Sequence, residues 1–380
     1  MTAVATIRSE NVTEASFDYN VSKSPGKLPP SFSPHFISPS VRLAFYVATL
    51  IVSVVGVLAN AYVLLALLLS KNARGSNVNA FITHQTVLDL TACTFLFISL
   101  VLNLTKPSLK MSESLALFVC WFFGTKSMSV SVGNASICGL VIITVERYVK
   151  IVHPVAYRNH YRRWMTRVGI IFPWIFGACT GLLPIWATSH ADRSRCVKGT
   201  VGSNLELQLT WRIAQFLLLY LSPLAVFIFG YWKILAVIRR QKKQVGQSQL
   251  QGTSNAATVA ERKSRRTEMN VIRTMLLVSV TFAVCFVCKF FYPILTTLKV
   301  VPTIVTLHLL FAVFTYTSRC LNPFIYATQY EVVTRWWKVV AFRLVRRQQV
   351  MEETPITMSG APARGEKQQT TKIHVTTKNP

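Results

Sequence analysis

Two polar motifs lie at the ends of apolar segments in this 380-residue chain. Glu146, Arg147 and Tyr148 close the third apolar segment, and a run from Asn322 through Pro323 to Tyr326 closes the seventh. Ionisable groups and helix-breaking prolines are costly in lipid, so their presence in such segments indicates function. A carboxylate beside a guanidinium forms an ion pair, and proline leaves a backbone carbonyl without its helical partner. This chemistry is typical of a conformational switch.

The segments that must position these motifs are long and apolar. Apolar residues make up 51% of the chain, charged residues 14%, and the mean hydropathy is +0.39, which indicates a membrane protein. Leu43 to Ser70 contains no charged residue and is long enough to cross a hydrocarbon core of about 30 Å. Similar segments recur at 79–103, 116–148, 168–189, 210–238, 270–298 and 303–327. The sequence therefore predicts an all-α membrane protein with a seven-transmembrane helix bundle.

Basic residues predict the orientation of these spans. Lysine and arginine concentrate in the first, third and fifth loops, and positively charged loops stay in the cytosol, so the N-terminus is expected outside the cell. The glycosylation sequons at Asn11 and Asn20 lie in that N-terminal tail and agree with this orientation. No cleavable signal peptide is recognised, and the first span is expected to act as the targeting signal. The chain is thus predicted to be a multi-pass plasma membrane protein with a cytoplasmic C-terminus.

The predicted organisation has four parts. An extracellular tail covers 1–42, the seven-helix domain 43–328, a short amphipathic cytosolic helix 8 covers 329–347, and a disordered cytosolic tail 348–380. Most of the basic residues behind the net charge of +27 lie in the predicted cytosolic loops and tail. We therefore assign this charge to topology and to contact with membrane lipid, and not to binding of nucleic acid. Cys285 and Cys288 form a C-x-x-C inside an apolar helix with no second pair, so neither a metal nor a cofactor is predicted.

From about residue 43 to 345 the chain resembles the rhodopsin-like (class A) G-protein-coupled receptors, as a member that is neither an opsin nor an aminergic receptor. The resemblance is carried by residues in the family's order and spacing: Asn60, Asp89, Trp174, Pro223, Tyr231, Phe282, Cys285 and the two polar motifs. It implies an extracellular peptide or small-molecule ligand and a heterotrimeric G protein as partners. A seven-helix transporter or channel is the alternative, which would be expected to show a paired repeat or several membrane acids.

The resemblance also implies roles for individual residues. Arg147 is expected to pair with Glu146 and, across the bundle, with Glu268, which holds the sixth helix closed until ligand binding releases it. Tyr148, Tyr231, Asn322, Pro323 and Tyr326 are assigned to the same switch, with Asn322 and Pro323 breaking the seventh helix, and Pro154 and Val155 to the G-protein contact. Cys120 and Cys196 are expected to form a disulfide, although Cys120 lies two residues further from Arg147 than is usual.

A buried polar core is expected from Asn60, Asp89, Ser136 and Arg319. In many relatives this cavity holds a sodium ion on the aspartate. Arg319 is predicted to pair bidentately with Asp89 and to occupy the ion's place, unless it is rotated toward lipid headgroups or water.

The ligand pocket departs from well-known members of the family. Ser129 replaces the aspartate of amine receptors, Tyr316 the retinal lysine of opsins, and Phe286 the usual tryptophan, where it is expected to act as an aromatic toggle. Lys126 and Lys289, in the outer half of the bundle, favour an anionic ligand. The alternative is that Lys126 snorkels outward and Lys289 contacts an extracellular loop. The candidate pocket residues are Lys126, Ser129, Gln215, Phe286, Lys289 and Tyr316.

Overall fold

The computed structural model describes residues 38–70, 77–105, 113–192, 195–198, 201, 204–250, 259–329 and 333–334. They form eleven α-helices, three π-helical turns and one hairpin. The helices are α1 (Pro39–Leu69), α2 (Asn77–Thr105), α3 (Glu113–Val119), α4 (Ser127–Val152), α5 (Pro154–His160), α6 (Arg163–Gly177), α7 (Leu183–Thr188), α8 (Leu205–Phe216), α9 (Ser222–Leu250), α10 (Val259–Thr297) and α11 (Val305–Gln329). The π-helical turns are Cys120–Gly124, Ala178–Leu182 and Leu217–Leu221.

Several predicted features lie outside the described residues. These are the sequons at Asn11 and Asn20, nearly all of the predicted helix 8, and the tail after it. All the described residues belong to one unit, Met1–Trp337.

Seven helical columns form the bundle. Six stretches of the described chain are long and apolar enough to cross a membrane: Pro39–Leu69, Asn79–Thr105, Ser127–Val152, Arg163–Thr188, Leu205–Gln241 and Met269–Thr297. The seventh column is α11, whose 25 residues can also span about 30 Å and which packs between α1 and α10. Large apolar side chains such as Leu58, Ile228 and Val284 point outward, as expected for a lipid-facing surface. The predicted seven-helix bundle is confirmed.

The third column is interrupted near one end. The predicted continuous segment 116–148 is instead α3, the turn Cys120–Gly124, and α4 from Ser127 onward. Lys126 lies between the turn and α4 with φ 58°, a left-handed conformation that is uncommon for a residue other than glycine. The stretch between Cys120 and Arg147, which is two residues longer than usual, contains this π-helical turn and this left-handed residue, both of which can absorb extra chain length.

A short hairpin, which the sequence did not predict, covers this end of the bundle. Strand β1 (Ser189–Asp192) pairs antiparallel with β2 (Arg195–Lys198), with Ala191 opposite Cys196. Both strands lie against the turn that contains Cys120.

The sixth column is one uninterrupted helix. Helix α10 begins at Val259, earlier than the predicted 270, and runs through Cys288, where the family usually has a proline. Pro293 lies within its last two turns. The proline that could bend this helix therefore lies nearer its end than the family's usual position.

Pro323 does not interrupt the seventh column, contrary to the prediction that it breaks the helix. Helix α11 continues through it to Gln329. Proline has no N–H, so the carbonyl of Arg319, four residues earlier, loses its helical donor. The side-chain amide of Asn60 on α1 donates to that carbonyl at 3.3 Å and also to the carbonyl of Gly56 at 2.9 Å. A residue on the first helix thus satisfies the group that the proline leaves free.

Close approach between α4 and the fourth column depends on glycine. A Cβ at Gly181 would lie 2.5 Å from the Cα of Ser131, and one at Gly177 would lie 2.8 Å from the Cβ of Ala135. The backbones of the two columns therefore meet directly, and neither position has room for a side chain.

Gly181→Ala should lower the free energy of unfolding by about 1–3 kcal/mol, because the new methyl group must push two helix backbones apart. Thermal unfolding of the purified protein measures this change. Gly230→Ala is the control, since its Cβ would meet only the γ-methyl group of Thr144, at 3.0 Å, and that side chain can shift. Equal stability of the two variants would contradict this account of the helix contact.

Candidate functional site

The carboxylate of Asp89 is the centre of a polar network inside the bundle. Its Oδ1 accepts a hydrogen bond from Ser136 at 2.7 Å, and its Oδ2 accepts one from the amide of Asn322 at 2.7 Å. The amide of Gln85 lies 3.5 Å from both oxygens and donates to the Ser136 hydroxyl at 2.5 Å. These four residues, which we call the Asp89 network, join α2, α4 and α11 at a place where each side chain is buried.

Arg319 lies beside this network but does not form the predicted bidentate pair. No guanidinium nitrogen lies within 4 Å of an Asp89 oxygen, since the ion pair between Arg147 and Glu146 is the only one between described side chains. The alternative of exposure to headgroups is also wrong, because Arg319 is only 4% exposed. Its guanidinium rests against Gly133 on α4. Arg319 is therefore near enough to act on the Asp89 carboxylate by charge, but not by hydrogen bonding.

At the Arg147 end of the bundle, a carboxylate holds the arginine. Glu146 and Arg147 form an ion pair in which Arg147 Nε donates to Glu146 Oε2 at 2.5 Å, and the two residues are 5% and 3% exposed. Tyr157 on α5 donates to the other carboxylate oxygen at 2.7 Å. The side chain of Glu268 lies outside the described part of the structure, so its pairing with Arg147 remains a prediction.

The other predicted switch residues lie on α4, α9 and α11. Tyr231 on α9 lies 3.2 Å from the Thr144 hydroxyl on α4, and Tyr326 is fully buried. Tyr148 packs edge-on against His153, with ring centroids 5.6 Å apart. Pro154 and Val155 begin α5 and are exposed, Val155 by 65%. Their exposure leaves an apolar side chain available to a partner.

A column of aromatic rings follows α10 between the two ends. The ring of Phe286 lies 4.8 Å from that of Phe282 and 6.1 Å from that of Phe290. Phe282 also packs edge-on against Phe227 of α9, at 5.6 Å. Such contacts are short enough for one ring to displace the next.

The candidate pocket residues at the Cys120 end fall into two groups. The ammonium of Lys126 lies 4.9 Å from the centroid of the Phe45 ring and 6.0 Å from that of Tyr316, and the ammonium of Lys289 lies 5.4 Å from that of Phe286. Ser129, by contrast, is buried in the contact with α2. Its hydroxyl donates to the Ala92 carbonyl at 3.1 Å, and Gln215 is half-buried on α8.

The described cysteines are of two kinds. Cys120 is disulfide-bonded. The side chain of Cys196 lies outside the described part of the structure, and its pairing with Cys120 remains a prediction. The free thiols are Cys93, Cys138, Cys179, Cys285, Cys288 and Cys320.

Three residues of these sites were missed in the sequence. Gln85 is four residues before Asp89, so helical spacing alone places it on the same face. Tyr157 lies in a loop helix, where nothing in its neighbourhood indicates a carboxylate partner. Gly133 has no side chain, and its role is to leave space for the Arg319 guanidinium, which the sequence does not show.

The sequence profile described as "7 transmembrane receptor (rhodopsin family)" matches residues 59–326. The chain belongs to this family. The match covers the Asp89 network, the Glu146–Arg147 pair and the aromatic column. Receptors of the family bind extracellular ligands and couple to G proteins, so the chain is a multi-pass G-protein-coupled receptor and not an enzyme. A transporter or channel is not favoured.

Individual relatives show the same relationship at low identity. The chain is 22% identical over 253 residues to trace amine-associated receptor 7b of Mus musculus, covering 64% of this chain and 69% of the relative. It is 25% identical over 336 residues to neuropeptide Y receptor type 6 of Mus musculus, covering 78% and 79%. One relative is named for an amine and the other for a peptide. A crystal structure of squid rhodopsin has the same fold, with a TM-score of 0.63 and 17% identity over 84% of this chain and 92% of that one.

Ser136→Ala should lower the free energy of unfolding by about 1–3 kcal/mol, because Asp89 Oδ1 would lose its 2.7 Å donor in a buried site. Thermal unfolding again supplies the measurement. Ser99→Ala is a matched control, since the Ser99 hydroxyl is fully buried and has no hydrogen-bond partner in the described chain. Its removal should be neutral or stabilising. A loss as large in Ser99→Ala would show that the hydrogen bond is not the cause.

Proposed function

We propose that this receptor binds its ligand at the Cys120 end and activates a heterotrimeric G protein at the Arg147 end, through an outward movement of α10. The observation that carries the proposal is the buried pair of Glu146 and Arg147. In that pair Glu146 holds the Arg147 guanidinium, and Tyr157 holds the carboxylate in turn. A guanidinium released from this pair can interact with a G protein, which makes the arrangement a closed state of a two-state element.

The basic loops support an orientation with the Arg147 end in the cytosol. Lys150, Arg158 and Arg162 lie at that end, and positively charged loops are retained in the cytosol. The same orientation puts Asn11 and Asn20 outside the cell, where they can be glycosylated, and puts Cys120 in an oxidising environment. The plasma membrane is the compartment that fits an extracellular ligand.

Two elements connect the ligand end to the G-protein end in this proposal. The ring of Phe286 touches both Phe290 and Phe282, so a ligand that moves it also moves the middle of α10. The Asp89 network joins α11 to α2 and α4 and must rearrange when α11 shifts. A ligand drives the transition only by the difference in its affinity for the two states.

Glu146→Gln should raise ligand-independent guanine-nucleotide exchange, because a neutral amide holds the Arg147 guanidinium less firmly in the closed state. Tyr157→Phe should do so to a smaller degree, since it removes one hydrogen bond of about 0.5–3 kcal/mol. Exchange on purified G protein, with equal amounts of each receptor variant in lipid nanodiscs, measures both effects.

Tyr161→Phe is the control for this experiment. Tyr161 stacks on Tyr157, but its hydroxyl lies 3.1 Å from that of Thr166 and does not contact Glu146. It should leave basal exchange unchanged. Glu268→Ala tests the predicted pair across to α10 in the same assay. Wild-type basal exchange in Glu146→Gln would refute the closed-state role of the pair.

The ligand is proposed to be a peptide or small molecule that carries an anionic group. Lys126 supports this, because its ammonium is placed among aromatic rings at the ligand end and has no acidic side chain within 4 Å in the described chain. Ser129 supports a ligand other than an amine, since the position carries no carboxylate and its hydroxyl is bonded to the Ala92 carbonyl. A carboxylate or phosphate would compensate the desolvation of the ammonium.

Lys126→Gln should lower the potency of agonists that carry a carboxylate by about 5- to 150-fold, which corresponds to the loss of a charged hydrogen bond. A panel of acidic peptides and small acids, each with its neutral amide analogue, supplies the probes, and Lys289→Gln is measured in parallel. Lys233→Gln is the control, because Lys233 also lies over an aromatic ring, that of Trp232 at 4.8 Å, but it is two residues from Tyr231, on the part of α9 that contacts Thr144 near Arg147. Active neutral analogues with unchanged potency on Lys126→Gln would count against an anionic ligand.

A further inference from the structure

Two free thiols meet between α1, α2 and α11. Cys93 on α2 and Cys320 on α11 are 2% and 5% exposed, and neither is bonded to another cysteine. Their sulfur atoms lie close enough to each other to hydrogen-bond. The Cys320 thiol also donates to the carbonyl of Val52 on α1, at 2.8 Å. Neither sulfur takes part in the switch or the ligand pocket described above.

Gly56 on α1 makes room for this thiol pair. A Cβ built at Gly56 would lie 2.5 Å from the Cys93 sulfur and 2.8 Å from the Cys320 sulfur. Both sulfurs therefore border one small space at the α1 backbone, although their helices are far apart in the sequence. A disulfide requires two sulfurs that can reach bonding distance without a large movement of the backbone. Two thiols that already touch meet this requirement.

The C-x-x-C of α10 offers no such arrangement. Cys285 is buried and Cys288 is exposed, so the two thiols point to different surroundings although they are three residues apart. A bond within this helix would also join nothing that the helix does not already hold together. Cys93 and Cys320, in contrast, belong to two columns that are free to move separately.

We propose that Cys93 and Cys320 form a disulfide between α2 and α11 when the receptor is exposed to hydrogen peroxide. This oxidant is small and uncharged, so it can pass between helices. One sulfur attacks the peroxide, the O–O bond breaks, and a sulfenic acid and one water form. The second sulfur then attacks the sulfenic sulfur, and the S–S bond forms as a second water leaves. The two sulfurs together lose two electrons to the peroxide, and both thiol protons end in water.

The bond would hold α11 against α2 beside the Asp89 network. Cys93 lies four residues after Asp89, and Cys320 lies two residues before Asn322, which donates to the Asp89 carboxylate. A covalent link at this place opposes a shift of α11 relative to α2. This consequence rests on the proposed function, in which α11 shifts during activation, whereas formation of the bond does not.

The test is peroxide treatment of the purified full-length receptor in lipid nanodiscs, followed by maleimide blocking of the remaining thiols, digestion and mass spectrometry. A linked peptide pair that contains Cys93 and Cys320 should appear, saturate as peroxide is raised, and disappear when the digest is reduced. The treated receptor should also unfold at a Tm that is higher by roughly 2–8 °C. Both changes should be lost in Cys93→Ser and in Cys320→Ser. They should be kept in the control Cys138→Ser, because Cys138 is a buried free thiol on α4.

Peroxide is raised until the exposed thiols of Cys179 and Cys288 are oxidised, which shows that the oxidant has reacted with the receptor. Absence of the linked pair at that point would overturn the proposal, and so would links from Cys93 to other cysteines in similar yield. If a serine variant fails to fold, the linked peptides of the wild type decide alone, because they identify the bonded residues directly.

Basal guanine-nucleotide exchange, measured on the same samples, separates this proposal from the proposed function. Exchange should fall in the linked wild type and stay unchanged in peroxide-treated Cys93→Ser. A linked receptor with unchanged exchange would establish the disulfide and contradict the shift of α11 in the proposed function.

Discussion

The packing of α2, α4 and α11 depends on one buried carboxylate, that of Asp89. Asp89 has no contact with solvent, and an ionised carboxylate in such a place is unfavourable unless its oxygens are hydrogen-bonded. Its donors come from its own helix α2, from α4 and from α11, so three columns of the bundle must keep their relative positions to satisfy it. A conformational change that moves α11 must break or replace one of these bonds. The Asp89 network therefore determines which movements of the bundle are energetically possible.

The first and seventh columns are tied to the same centre by a backbone carbonyl. Pro323 removes the donor for the carbonyl of Arg319, and Asn60 supplies another one from α1. One residue of α11 thus contributes in two ways: its carbonyl joins α1, while its guanidinium reaches α4 through the space at Gly133. Because both contacts belong to Arg319, a shift of this residue along the bundle affects three columns together.

Much of the fold could be predicted from the sequence, because seven long apolar segments have few alternatives in a membrane. Asp89 and Ser136 could be placed together from the family resemblance, which assigns both to one internal cavity, and they are hydrogen-bonded in the structure. The bidentate pair of Arg319 and Asp89 could not be predicted correctly. The pair does not form because Ser136 and Asn322 already donate to the Asp89 carboxylate, and because Gly133 leaves space for the guanidinium on α4. The spacing of residues within one helix shows neither of these. The break at Lys126 was missed because a π-helical turn has the same apolar composition as an α-helix.

The guanidinium of Arg319 fills the space that a side chain at position 133 would need. This limits the order in which the two positions can change in related receptors. A mutation that adds a side chain at position 133 is tolerated only after the arginine has been replaced by something smaller, whereas loss of the arginine first leaves a gap that a larger residue can fill. The order of the two changes is thus constrained during evolution. Related receptors that share this internal charge can be recognised by glycine at the position of Gly133 together with arginine at the position of Arg319.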